Sequence, residues 1–293
     1  TAMTSARVLE AFAACPTLPR GAVNAFFESG ADGVKTLVQS TDVDVISYTG
    51  STHVGKLIQQ LGAGTLKRMN LELGGSAPCI VFEDADLERT IPALVKASMT
   101  MAGQQCVAAS RLIVQRSLMP EVIARLCEAL RQLKVGRGEQ PDTEMGPLID
   151  LHSRERVERM VESAASDAKI HLRGTRPGGS LAAGAFLTPS LVEVSDPGDP
   201  LLAQEIFGPV LTVQGFDSEP QSIAQANDSR FGLAASVWTR DLQRAQRVGA
   251  TIKAGTVWLN MHGRLAAEVE TGGYRESGIG RLHGVQGLEE FLQ

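Results

Sequence analysis

The spacing of apolar residues along this chain switches repeatedly between a helical and a strand-like period. From Thr4 to Ala14, Val8, Leu9, Phe12 and Ala13 follow the helical repeat. Pro16 and Pro19 end that pattern, and Gly21–Phe27 (Gly-Ala-Val-Asn-Ala-Phe-Phe) predicts a short strand. Gly30 and Gly33 turn the chain into a second helix that ends near Gln39. Val43–Tyr48 is rich in β-forming residues. The helix after it opens at Thr49-Gly50-Ser51-Thr52 and carries Val54, Leu57, Ile58 and Leu61, and Met69–Leu73 predicts a further strand. Strands alternating with helices are the signature of an α/β fold with a parallel sheet.

The alternation continues to the C-terminus. Helices are expected over Ile91–Met101, from Pro120 onward with the apolar face Val122, Ile123, Leu126 and Leu130, and over Arg154–Ala168, Pro220–Asn227 and Leu242–Val248. Strands are expected over Leu112–Gln115, Lys169–Leu172, Phe186–Val194, Val210–Phe216, Ala234–Trp238 and Thr256–Asn260. Gly174–Gly184 reads as a surface loop. There is no internal repeat or low-complexity segment. The Gly74-Gly75 pair suits a crossing between two layers and marks a domain boundary.

Composition changes this picture little. The 293 residues are 43% hydrophobic and 21% charged, ordinary for a globular chain able to bury a sizeable core. The net charge of −5 is spread without a block or tail, which argues against nucleic acid or an anionic membrane as the main partner. No apolar run approaches the ~20 residues of a membrane span, and the N-terminus has no signal pattern. Cys15, Cys79, Cys106 and Cys127 are widely spaced, so neither a disulfide framework nor a bound metal is expected, and reduced thiols in the cytoplasm are the simplest reading. The five histidines lack metal-ligand spacing: His53 falls in a helix-start loop, His152 and His171 at surface positions, His262 and His283 in C-terminal loops.

Candidate chemistry sits at four places. Gly50-Ser51-Thr52-His53-Val54-Gly55 follows a strand and opens a helix, where free N–H groups and the helix dipole favour an anion; a Ser/Thr helix cap is the plainer alternative. It is not the GxGxxG fingerprint. Leu71-Glu72-Leu73-Gly74-Gly75 sets a carboxylate between apolar residues. Glu72 is either a desolvated general base or a solvent-side residue paired with Lys67 or Arg68. Gly103-Gln104-Gln105-Cys106 is poor core sequence and puts a thiol at a bend, the setting of a nucleophile rather than of a packed cysteine such as Cys79. Gln204-Glu205-Ile206-Phe207-Gly208-Pro209 joins an acid and an aromatic to a turn. That turn either simply enters a strand or offers ribose hydroxyls an acceptor beside an aromatic wall.

Taken in order, Tyr48-Thr49-Gly50-Ser51-Thr52, Leu71–Gly75, Gly103–Cys106, Glu205–Pro209 and Gly272-Gly273-Tyr274-Arg275-Glu276-Ser277-Gly278-Ile279-Gly280-Arg281 resemble the NAD(P)-dependent aldehyde dehydrogenase superfamily over essentially the whole chain. The resemblance implies a partial Rossmann-like cofactor domain followed by an α/β catalytic domain. Residues 1–74 would be the C-terminal part of the NAD(P)-binding domain, 75–273 the catalytic domain, and 274–293 a segment returning to the cofactor domain. It makes Cys106 the nucleophile that forms a thiohemiacetal and then a thioester, and Glu72 the base that activates the hydrolytic water. Gly50, Ser51, Thr52 and Gly55 match the pyrophosphate segment, Leu73 lies near the nicotinamide, and Glu205 and Phe207 flank its ribose. The implied cofactor is NAD, with NADP the alternative. The implied substrate is a small-molecule aldehyde, and the complete protein would be a cytoplasmic homodimer or homotetramer.

Departures from the family pattern set further expectations. The oxyanion-hole asparagine and the lysine that grips the adenine ribose lie upstream in family members and have no counterpart here, so the chain is expected to begin partway through a larger protein. Taken alone it is either part of an active enzyme or a non-catalytic remnant with a binding or structural role. A cysteine hydrolase pairing Cys106 with a histidine is a third reading. Ser76 replaces the lysine that usually follows Leu-Glu-Leu-Gly-Gly, and Glu270-Thr271 replaces the usual Pro-Phe. With Glu268, this favours a cationic aldehyde of the aminoaldehyde or betaine aldehyde type.

Overall fold

The structure, a computed structural model, describes residues 2–164 and 167–292. It divides into two compact units, residues 1–44 with 57–67, and residues 45–56 with 68–293.

The smaller unit contains the helices Ala2–Ala13 and Asp32–Gln39 and the latter part of the helix Thr52–Gly62. Lys67 directs its ammonium to the carbonyls of Ser40 (2.6 Å) and Val43 (3.0 Å). Gly21–Phe27 forms no strand. Asn24 instead donates its side-chain amide to the Gly21 carbonyl at 2.7 Å, and both phenylalanines are exposed. The β-rich composition is real, but no strand among the described residues pairs with it.

The larger unit carries two sheets. β1 (Val45–Thr49), β2 (Arg68–Glu72) and β10 (Gly278–Ile279) form the smaller, in the order β1-β2-β10. β1 and β2 are parallel, and β10 runs antiparallel to β2. The larger contains β3 (Ala77–Val81), β4 (Ala109–Gln115), β5 (Lys169–Leu172), β6 (Ser190–Glu193), β7 (Val210–Phe216), β8 (Ala234–Trp238) and β9 (Thr256–Leu259). Its order is β5-β6-β7-β4-β3-β8-β9, parallel throughout except for the β5–β6 pair.

Central strands of a parallel sheet are covered on both faces and so read as continuous apolar runs. Every residue of β3 and of β8 is buried. Alternate residues serve opposite cores. Cys79, Val81, Leu112 and Val114 pack with the helices Leu87–Met99 and Met119–Gln132. Ile80, Phe82, Ile113 and Phe216 pack with residues of the helices Glu219–Asn227 and Leu242–Gly249. Pro78 cannot donate to a ladder. It sits at a register shift against β4, before pairing with β8 begins at Cys79.

The helix expected over Arg154–Ala168 is Leu151–Glu162, capped by Asp150, which accepts from the Ser153 amide at 2.7 Å. Ala165 and Ser166 lie outside the described residues. Two short helices, Pro200–Ala203 and Gly284–Glu289, were not expected. No helix among the described residues is long and apolar enough to cross a membrane.

Candidate active site

Cys106 hangs on a turn that the backbone must be forced to make. After the helix Leu87–Met99 comes a single 3-10 turn, Thr100–Gly103, in which Met101, Ala102 and Gly103 have φ of 52°, 55° and 71°. Two of these are not glycine, and left-handed backbone costs such residues about 1–2 kcal/mol each. At Gly103 no other residue fits, because a Cβ would fall 2.2 Å from the Gly208 carbonyl oxygen. Gln104 secures the turn from both ends, donating to the Met101 carbonyl at 2.9 Å and accepting from the Ile149 amide at 2.9 Å. Cys106 emerges half-buried, and the chain then enters β4 at Ala109.

Two carboxylates act on this thiol. Glu72 ends β2, opposite Thr49 on one side and Gly278 on the other. It is not on a solvent face: its Oε1 is buried and finds no hydrogen-bond partner. Burial raises its pKa, opposed by Arg281. Glu205 accepts a hydrogen bond from the Gly75 amide at 3.1 Å, and burial raises its pKa too, opposed by that amide, Arg156 and Arg230. The Cys106 thiol is pushed up first by burial and then by the charges of Glu72 and Glu205. The backbone amides of Val107 and of Cys106 itself pull it down. The thiol therefore has both carboxylates as electrostatic neighbours.

The Gly74-Gly75 strap brings these groups together. A Cβ on Gly74 would lie 2.3 Å from Glu205 Oε2, and one on Gly75 would lie 2.5 Å from the Cys106 carbonyl oxygen. Ser277, fully buried, fixes the strap from behind. Its hydroxyl donates to the Gly74 carbonyl at 2.7 Å and accepts from the Gly232 amide at 2.9 Å, while its carbonyl accepts from the Leu73 amide at 2.9 Å.

Gly50, Ser51, Thr52 and Gly55 lie beside the end of β2. The Gly50 amide donates to the Glu72 carbonyl at 3.0 Å, and a Cβ on Gly55 would collide with the Leu73 side chain. Ser51 Oγ accepts from the Val54 amide at 3.3 Å, so the residue does cap its helix. Thr52 is buried, its hydroxyl donating to the Glu276 carbonyl at 3.2 Å. The first turn of this helix contains no acidic residue, leaving its positive end free for an anion. Leu73 is buried, whereas Phe207 is 41% exposed with φ of 49°, its ring open to solvent. Arg156 holds this segment by donating to the Ile206 carbonyl at 2.6 Å.

Two histidines are partly buried, and the first of them departs from the surface position expected of it. His171 is no free surface residue but meets Glu193 at 2.7 Å, with its side chain 14% exposed. His262 is half-buried and contacts the carbonyl of Val107. The cysteine hydrolase reading loses support, since no histidine among the described residues hydrogen-bonds Cys106. The Cys–His contact present is Cys79 with His262, at 3.7 Å, and burial pushes the Cys79 thiol up to about 12. Among the described residues no group of three or more His, Cys, Asp or Glu side chains could hold a metal ion. Ser277 belongs to the late glycine-rich motif, and the sequence alone gives it no role. Its signal is its place directly before Gly278, in the segment the topology returns to β2.

Comparison with known proteins gives a consistent result. The betaine aldehyde dehydrogenase of Bacillus subtilis (strain 168) is 39% identical over 278 residues, covering 94% of this chain and 57% of that protein. The crystal structure of betaine aldehyde dehydrogenase from Staphylococcus aureus in complex with NAD+ superposes with a TM-score of 0.95 at 37% identity, covering 98% of this chain and 57% of that one. A double mutant of the same enzyme, also with NAD+, gives a TM-score of 0.95 over 99% of this chain. The α/β fold is therefore that of the aldehyde dehydrogenases, although the chain spans a little under three-fifths of the length of these relatives. The sequence profile of the aldehyde dehydrogenase family matches residues 1–293, and the chain belongs to that family.

Proposed function

We propose that this chain supplies the nucleophile, the general base and part of the cofactor cradle of an NAD-dependent aldehyde dehydrogenase. The observation that carries the reading is the convergence of Cys106, Glu72 and Glu205 on the Gly74-Gly75 strap. As a thiolate, Cys106 adds to the aldehyde carbon. The backbone amides of Val107 and Cys106 lower its pKa and so favour the thiolate. Bound NAD would accept the hydride. Glu72, with an unpartnered oxygen and a raised pKa, then takes a proton from the water that hydrolyses the thioester.

The residues present fit such a cofactor. The helix start at Gly50-Ser51-Thr52, closed against Leu73 through Gly55, offers backbone donors to a pyrophosphate. Glu205 offers a carboxylate to ribose hydroxyls, and Phe207 an exposed aromatic face. NADP is the alternative cofactor.

Substrate, assembly and location are read from the resemblance, and the names of the relatives bear on the substrate alone. The substrate is an aldehyde, of the betaine aldehyde or aminoaldehyde type, as the names of the relatives and the acids Glu268 and Glu270 suggest. The domains divide at 1–74, 75–273 and 274–293. Support for that division is the break between β2 and β3 at the glycine strap and the return of β10 to β2. The intact protein works as a homodimer or homotetramer in the cytoplasm.

The test uses the intact protein with a panel of aldehydes and both cofactors. Cys106→Ala should abolish aldehyde oxidation, by about 10³-fold or more, while leaving NAD binding intact. Glu72→Gln should slow steady turnover while sparing the initial burst of NADH. Turnover surviving Cys106→Ala would overturn the assignment.

A further inference from the structure

His262 stands just beyond β9, in a loop the chemistry described so far does not use. Its ring lies 4.7 Å from the Trp258 ring, centroid to centroid. Its two nitrogens have different partners. Nε2 is 2.7 Å from the Val107 carbonyl oxygen, and Nδ1 is 3.0 Å from Ser236 Oγ. A carbonyl can only accept, so Nε2 carries the proton. In the neutral ring Nδ1 is then an acceptor, and the Ser236 hydroxyl donates to it. Ser236 Oγ in turn accepts from the Trp238 indole N–H at 2.9 Å. The Cys79 thiol also lies 3.7 Å from Nδ1, at the same end of the ring as Ser236, and the shorter contacts run from Trp238 to Ser236 to His262 to Val107. Ser236 and Trp238 are fully buried, and burial lowers the imidazole's pKa, which favours the neutral ring the network needs.

The network ends on the nucleophile turn. Gln105, Cys106, Val107 and Ala108 form a tight turn closed by the Ala108 amide donating to the Gln105 carbonyl at 2.9 Å. That amide and the Val107 carbonyl belong to one peptide group. The peptide leaving the turn is therefore clamped at both ends, by Gln105 on its N–H and by His262 on its oxygen. The Val107 amide is also one of the two that lower the Cys106 pKa.

We propose that His262 is a positioning residue for Cys106, clamping the Val107–Ala108 peptide so that the turn holds the thiol and the Val107 amide in fixed register. This rests on the reading of Cys106 as the nucleophile. His262 touches neither the sulfur nor any reacting atom. It acts through the backbone, with Ser236 fixing its tautomer.

The test is made on the intact protein with His262→Phe, His262→Gln and Ser236→Ala. Phenylalanine keeps a ring against Trp258 but removes the donor. His262→Phe should lower kcat about tenfold with KM changed less than about twofold, and should slow alkylation of Cys106 by iodoacetamide by a similar factor. Glutamine can return a donor to Val107, and should recover both rates to within about threefold of the starting protein. Ser236→Ala should slow alkylation by about two- to threefold, and should add nothing to His262→Phe in the double variant. Unchanged alkylation and kcat in His262→Phe would overturn the proposal. So would His262→Gln as impaired as His262→Phe, because loss of packing alone would then suffice. If His262→Phe does not fold, an unchanged alkylation rate in Ser236→Ala overturns it instead. Alkylation reads the thiol without aldehyde or NAD, so these outcomes are distinct from turnover surviving Cys106→Ala, which would remove the nucleophile assignment itself.

Discussion

Leu112 in β4 and Leu71 in β2 are equally buried, yet the sheets around them are held in different ways. β4 lies inside the seven-stranded sheet, with ladder partners on both sides and packed helices on both faces. β2 has β1 on one side and on the other only the two residues of β10. What secures β2 on that side is polar and local. Asn70 donates to the Arg281 carbonyl at 2.6 Å, the Ser277 hydroxyl bonds the Gly74 carbonyl and the Gly232 amide, and Gly278 leaves no room for a Cβ beside the Leu71 carbonyl. The nucleophile turn is mounted on the first kind of structure and the base on the second. Bulk burial gives stability, whereas a few hydrogen bonds from a segment about 200 residues away set where Glu72 and the glycine strap lie.

If that contrast is right, stability and activity should respond in opposite order to substitutions in the two sheets. Leu112→Ala should have the largest effect on stability, about 3 kcal/mol in chemical denaturation, with kcat of the surviving folded protein little changed. Ser277→Ala should cost less, about 2 kcal/mol, by leaving the Gly232 amide and the Gly74 carbonyl unmet, but should reduce kcat far more than Leu112→Ala does. Equal loss of activity in the two variants would break the distinction. A charge-based test sharpens it. Glu72 raises the Cys106 pKa, so Glu72→Gln should move the pH profile of Cys106 alkylation to lower pH, with faster reaction at neutral pH. A profile that stays in place would mean the base does not face the thiol. The smallest effect belongs to Arg116→Ala, which removes an exposed ion pair with Asp217 at 2.8 Å and should change stability by less than about 1 kcal/mol, measured the same way.

The same contrast accounts for what could be read along the chain. Strands of the large sheet declare themselves because burial on both faces demands long apolar runs, as in Leu112–Gln115 and Ala234–Trp238. β3 is an apolar run, Pro78–Phe82, in which Pro78 argues against a central strand. Its tolerance depends on a register shift that sequence does not reveal. Gly21–Phe27 shows the opposite failure, with strand-forming residues and no partner. β10 is too short to carry a period, and its pairing depends on a fold closing over the whole chain. Cys106, Glu72 and Glu205 were found because each belongs to an unusual local string. His262 is invisible along the chain because its partners, Val107 and Ser236, are 155 and 26 residues away and one of them is backbone. The left-handed turns at Met101, Ala102 and Phe207 were equally hidden, being imposed on residues that do not prefer them.

Gly75 sets the clearance of the site. Where its side chain would begin, the Cys106 carbonyl already stands, 2.5 Å from the place a Cβ would take. The gap between nucleophile turn and strap is thus the thickness of bare backbone, a dimension with no torsion of its own to adjust. A gap filled by side chains can be retuned by changing them, each exchange trading one fit for another. This one has no side chain inside it to exchange, so the seating of thiol against strap can be altered only through the groups that hold the turn and the strap from outside.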